Sequence, residues 1–283
     1  MTTNGHTFGT SAFVPLADGR RLHYMARGTG GPVVVFESGM GFSRSTWGLV
    51  QPSVAGHVRA VVYDRAGTGR SDPDPRPRTL ARLAGDLGAL LDALGPGPFV
   101  LVGHSWGGPI VRVAAAADPA RVRGLVLVDQ SDENCDLFFT PSTEKRHRVS
   151  QAVLPAVTRL GLYRTLGSRP GRVQPADVAA DHRREDFTPG ATRALLAEMA
   201  PFPGELRALR DRPPVLDPFA VSVITGMRSA RINARVRKAI TAAHRRTAYA
   251  VPHGRLVEAP RSGHLVMFTE PELIVGEILR MLD

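Results

Sequence analysis

Six consecutive residues, Gly103-His104-Ser105-Trp106-Gly107-Gly108, set a hydroxyl between glycines where an apolar run gives way to a helical pattern. The run before them is Phe99–Val102, and a small-residue helical pattern spans Ser105–Ala117. A serine hydroxyl is a weak nucleophile until a base takes its proton. A sharp strand-to-helix turn lifts such a hydroxyl clear of a sheet, and the flanking glycines avoid collisions with the neighbouring strand and helix. The helix that follows presents the positive end of its dipole to charge that develops nearby. The spacing G-x-S-x-G in this context points to acyl chemistry with Ser105 as the attacking group.

The base has nine candidates, because the chain holds nine histidines. His264 lies in Ser262-Gly263-His264, after a short strand at Arg255–Val257 and before a final helix from about residue 270 to 282. That loop belongs at the same sheet edge as Ser105, and a late histidine fits the chain order nucleophile, acid, base. His253 precedes the strand and belongs at the opposite edge. His104 sits inside the turn and is expected to point away from the hydroxyl.

With these motifs in hand, the chain resembles the α/β-hydrolase superfamily, in its capped branch. Val33–Gly41 (VVVFESGMG) resembles that family's strand and HG-x loop, with Ser38 where histidine is common. Asp64-Arg65-Ala66-Gly67-Thr68-Gly69-Arg70-Ser71 resembles its D-x-x-G-x-G-x-S loop. The resemblance implies that the backbone N–H groups of Met40 and Trp106 form an oxyanion hole, which acyl transfer requires. It implies an α/β fold: a mostly parallel, eight-stranded sheet flanked by helices, with a helical cap inserted after the sixth strand.

One feature departs from the family pattern. Many relatives carry a Gly-Asp acid after the strand read here as Phe219–Thr225, yet no carboxylate occurs from Phe219 until Glu258. Either the site lacks an acid or another strand supplies it. Asp129, at the end of the strand Gly124–Val128, keeps the chain order, and some branches of the family place the acid there. Asp132 and then Glu133 stand in reserve. The plainer role for Asp129 is to cap the following segment.

The elements that must position these groups follow from hydrophobic periodicity. Unbroken apolar runs at Val33–Glu37, Ala60–Tyr63, Phe99–Val102 and Leu125–Val128 read as strands buried on both faces. Leu83, Leu87, Leu90, Leu91 and Leu94 mark a helix over Leu80–Leu94. Ala12–Leu16 and Arg21–Arg27 flank an Asp-Gly turn and read as a hairpin. Residues 131–218 show no buried strand, and their prolines divide them into short helical pieces. The expected organisation is a core of 1–130 and 219–283 with a cap of 131–218. Leu137, Phe138 and Phe139, early in the cap, are expected to line an apolar substrate pocket.

Composition narrows the function classes. The chain has 283 residues and a net charge of +10, carried by 34 Arg and two Lys against 26 acids. Seven cations and no acid fall between Met227 and Arg246, with Arg231, Arg235 and Lys238 at helical spacing. This run reads as a solvated face or as a docking face for an acidic partner. No aromatic residue interleaves it before Tyr249, which argues against nucleic-acid stacking. No apolar stretch approaches the roughly 18 residues of a membrane span, and no metal-ligand spacing or dinucleotide loop occurs. No cofactor is expected. The single cysteine, Cys135, and the lack of a leader signature point to the cytoplasm. The expected activity is a serine hydrolase acting on an ester-type bond of a small apolar molecule. The alternatives are C–C bond cleavage, lactone opening, perhydrolysis or carrier-protein thioester hydrolysis by the same groups, and a non-catalytic ligand-binding receptor or scaffold.

Overall fold

The structure is a computed structural model, and it describes residues 5–230 and 234–282. Strands β1 (Thr10–Pro15), β2 (Arg21–Arg27), β3 (Val33–Glu37), β4 (Ala60–Tyr63), β5 (Phe99–His104), β6 (Val122–Val128), β7 (Ala220–Gly226) and β8 (Gly254–Ala259) form one sheet. Their order is β1-β2-β4-β3-β5-β6-β7-β8. The β1–β2 hairpin and the β2–β4 pair are antiparallel, and every later neighbour is parallel.

Period-two alternation divides the sheet between two cores. Leu101, Leu125, Leu127 and Val223 pack on one face with α2 (Leu80–Leu94) and α3 (Gly107–Ala117). Val100, Val102, Val126, Val128 and Ile224 pack on the other with Trp47 and α11 (Pro271–Arg280). The two short helices α1 (Gln51–Val54) and α10 (Val266–Thr269) belong to this second layer through Val54, Val266 and Met267. The α2 helix begins where Thr79 accepts a hydrogen bond from the Arg82 N–H, a side-chain N-cap. The helix α9 (Ala234–Ala250) packs against β7 and β8.

Between β6 and β7 the chain forms α4 (Pro141–Arg159), α5 (Leu162–Gly167), α6 (Ala176–Glu185), α7 (Pro189–Met199) and α8 (Phe202–Asp211). The prolines do less to divide this stretch than the sequence implied. Pro141 and Pro189 open helices, where a missing N–H costs nothing, and α4 runs 19 residues through Pro155. Among the described residues no helix is long and apolar enough to cross a membrane.

Buried arginines join this insertion to the sheet. Arg44, in the 3₁₀ turn Arg44–Trp47, is fully buried and donates to Asp64 (2.7 Å), Asp181 (2.5 Å) and Glu185 (2.6 Å). Arg65 donates to both oxygens of Glu198 on α7 (3.0 and 2.9 Å), and Arg78 adds a contact of 2.8 Å to the same carboxylate. All of these partners are at least nine-tenths shielded from solvent.

Candidate active site

Ser105 follows the last residue of β5 with a φ of +52°, a left-handed conformation that a non-glycine residue adopts only where its surroundings impose it. The helix cannot start on such a residue, so α3 begins at Gly107, two residues later than the sequence pattern places it. Close approach accounts for the glycines. A Cβ on Gly103 would lie 2.5 Å from the Gly107 carbonyl oxygen, and one on Gly107 would lie 2.5 Å from that of Glu37. The turn is held by the Ser105 N–H on the Val128 carbonyl (3.1 Å) and by the Ser131 N–H on the Ser105 carbonyl (2.8 Å).

His264 reaches Ser105 from the loop between β8 and α10. Its Nε2 lies 3.1 Å from Ser105 Oγ, and its Nδ1 lies 2.7 Å from Asp129 Oδ2. His253 precedes β8, at the far edge of the sheet, as its position in sequence implied. His104 points away from the hydroxyl and stands behind the imidazole, with ring centroids 4.7 Å apart. Its Nε2 donates to the His264 carbonyl oxygen (3.0 Å), while Nδ1 is buried without a partner. Burial and the neighbouring His264 push the His104 ring down to about 3, so it stays neutral.

Asp129 is buried and, like Ser105, has a positive φ, at +41°. Burial alone would raise its carboxyl. The His264 hydrogen bond, the charge on that ring and the Arg237 guanidinium outweigh burial and hold it far below the usual carboxylate range. Arg237 donates to Asp129 Oδ1 (2.5 Å) and Oδ2 (3.0 Å), and the Gly226 N–H donates to Oδ1 (2.9 Å). The reserve carboxylates are occupied elsewhere. Glu133 forms a bidentate pair with buried Arg112 (2.7 and 2.6 Å). Asp132 accepts from Thr247, Gln130 and the Asn134 N–H.

Met40 lies in the loop after β3, and Trp106 follows the serine. Among the hydrogen bonds of the described residues, neither backbone N–H donates to another group. Arg65 fixes the loop that carries Met40: its guanidinium donates to the carbonyls of Ser38 (2.5 Å) and Gly39 (2.8 Å) and pairs with Glu37. Ser38, where histidine is common in relatives, accepts from the Trp47 indole (3.0 Å) and donates to the Ser43 carbonyl (2.8 Å). Phe138 stands edge-on to Phe202 at 5.6 Å, and Phe202 in turn to Trp106 at 4.8 Å. Phe139 lies instead under the guanidinium groups of Arg207 and Arg210, and Leu137 is half-buried at the start of the insertion.

Sequence reasoning missed two groups of this site. Arg65 sat in a recognised loop but had no assigned task. Arg237 was one of seven cations read as a surface face, yet it turns inward. Of the three residues at helical spacing, Arg235 and Lys238 are exposed on α9 and Arg231 lies outside the described residues. Arg245 pairs with Glu258 (3.3 Å). Two of the seven cations are thus already matched within the chain.

A predominantly parallel sheet with a serine on a strained turn after its fifth strand defines an α/β hydrolase. The family model described as "Alpha/beta hydrolase family" matches residues 34–277, and the chain belongs to that family. The Azorhizobium caulinodans protein named "Putative carbamate hydrolase RutD" is 35% identical over 134 residues, 47% of this chain and half of that protein's own length (50%). An AB hydrolase superfamily protein of Gibberella zeae is 27% identical over 285 residues, with 89% and 86% of the two chains covered. The structure of an esterase from Thermogutta terrifontis is similar with a TM-score of 0.68 at 23% identity over 97% and 98% of the chains, a likeness of fold.

Proposed function

We propose that this hydrolase cleaves a carboxylic ester-type bond of a small apolar substrate through an acyl-enzyme, using Ser105, His264 and Asp129. The observation that carries this reading is the unbroken chain of contacts at 3.1 and 2.7 Å from hydroxyl to imidazole to carboxylate. Ser105 Oγ attacks the carbonyl carbon while His264 Nε2 takes its proton. The Met40 and Trp106 N–H groups, without other acceptors, receive the negative oxygen. His264 then gives the proton to the departing alkoxide, and the ester C–O bond breaks. Water, activated by the same imidazole, releases the acid and restores the serine. His264 is about half exposed (48%), which leaves a route for that water. Asp129 keeps the Nδ1–H tautomer in place and offsets the charge on the imidazolium.

Residues 131–218 serve as the cap over this site, with Leu137 and Phe138 on the substrate side. The buried, unpaired Cys135 fits a reducing, cytoplasmic setting. A fluorophosphonate probe with a panel of esters, thioesters, lactones and carbamates of varied acyl length tests the reading. Labelling of wild type but not Ser105→Ala, with the highest kcat/KM on an ester, supports it. A preference for another bond type moves the assignment to that bond, and no labelling leaves a non-catalytic binding protein.

A further inference from the structure

We infer that Arg237 is a positioning residue of the hydrolytic site: it clamps the Asp129 carboxylate in the plane that faces His264 and sets how strongly that carboxylate attracts the imidazole proton. This rests on the reading of Ser105, His264 and Asp129 as the reacting set.

The geometry is specific. Both Nη atoms of Arg237 engage Asp129, one on each oxygen, and Nη1 also donates to the Gly226 carbonyl (3.1 Å). A planar fork on both carboxylate oxygens fixes a plane as well as a distance. The guanidinium is mostly buried (12% exposed), so solvent screens the pair less than it would a surface bridge. Gly226 closes the clamp from the other side with its N–H on Oδ1. A Cβ on Gly226 would lie 2.0 Å from the Gly263 carbonyl oxygen, so the same residue also seats the His264 loop. The end of β7, which holds the acid in many relatives, here holds the donors that grip an acid arriving from β6.

Other charged or titratable groups face the pair from each packed element, and none duplicates this role. His244 on α9 lies 4.0 Å from Asp129 Oδ1, but its ring nitrogens meet Thr225 Oγ1 and the Gln130 carbonyl, each at 2.9 Å. His104 on β5 backs the imidazole and stays neutral. Arg65 is committed to Glu37 and Glu198.

Two cationic partners therefore share one carboxylate whenever His264 is protonated. The clamp has two effects that separate by experiment. It holds the orientation that transfer requires, which raises kcat. It also draws part of the carboxylate's charge away from the imidazolium, so its loss leaves that charge to the imidazolium alone.

Arg237→Gln, Arg237→Lys and wild type are compared by kcat and KM on the preferred ester across pH 5–9, with fluorophosphonate labelling of Ser105 in each. The expected result for Arg237→Gln is a loss in kcat of roughly tenfold or more with little change in KM. The acid limb of kcat/KM moves to higher pH. Arg237→Lys, which keeps the charge but loses the fork, restores the limb while kcat stays reduced. Should Arg237→Gln fail to fold, the lysine variant still decides: kcat and profile identical to wild type overturn the proposal. An unshifted limb in a folded Arg237→Gln also overturns it, because a purely structural arginine leaves the profile in place. Absence of labelling in wild type would instead remove the underlying triad reading, and so the two failures are distinct.

Discussion

Asp129 meets four donors on two oxygens while its own backbone sits in the left-handed region. An aspartate there is tolerated at a cost of roughly 1 kcal/mol, and here it aims the carboxylate back across the sheet edge. Asp129→Asn leaves the size unchanged but reverses the hydrogen bond that fixes the imidazole. Its kcat is expected to fall by about 10³–10⁴, with the fold retained by circular dichroism. Glu133→Gln breaks a buried ion pair with Arg112 instead. It is expected to lower the unfolding free energy by about 3 kcal/mol in a denaturant titration and to leave kcat of the folded fraction near wild type. His104 makes stability fall in acid. Its folded ring titrates near 3, against roughly 6.5 in the unfolded chain, so between those values the unfolded state binds the extra proton. Stability then drops by about 1.4 kcal/mol per pH unit as pH falls through that window. In His104→Gln this slope should flatten, which urea titrations at pH 4, 5 and 6 would measure. The contact between Asp129 and His264 was legible in the sequence, because the usual place for an acid is empty of carboxylates over Phe219–Val257 and Asp129 ends the neighbouring strand. Arg237 was not readable, since a run of cations on a helix does not tell which one turns inward.

The loop after β3 shows how elements support single groups. Residues 38–40 have no secondary structure of their own, and Arg65 holds two of their carbonyls while binding Glu37 beneath and Glu198 on α7. Arg65→Met leaves both carboxylates buried with fewer partners. The expected cost is about 3–5 kcal/mol in thermal or denaturant unfolding, and kcat of the remaining folded enzyme should fall more than KM changes. Elements with strong periodicity were readable: α2 spans the expected Leu80–Leu94, and the unbroken apolar runs became β3 and β4 and fell within β5 and β6. The 3₁₀ turn Arg44–Trp47 and α1 were not, because each is a single turn without a repeat to detect, and a fully buried Arg44 contradicts the usual polarity rule.

At the scale of the molecule, the ion pairs of Arg44, Arg65 and Arg78 place the strongest polar contacts of the insertion against the sheet and its loops. Fluorescence from Trp47 and Trp106, both in the core, and circular dichroism from the inserted helices are expected to report one coincident unfolding transition. Two separated transitions would show an insertion that melts on its own. The same ties bear on traffic through the site. An insertion pinned by desolvated charges does not swing as a unit, and His264 is already half open to solvent. Under the proposed reading, substrate then reaches Ser105 without the insertion swinging open, so turnover with small esters should be indifferent to added viscogen and to ionic strength as long as acyl transfer limits the rate.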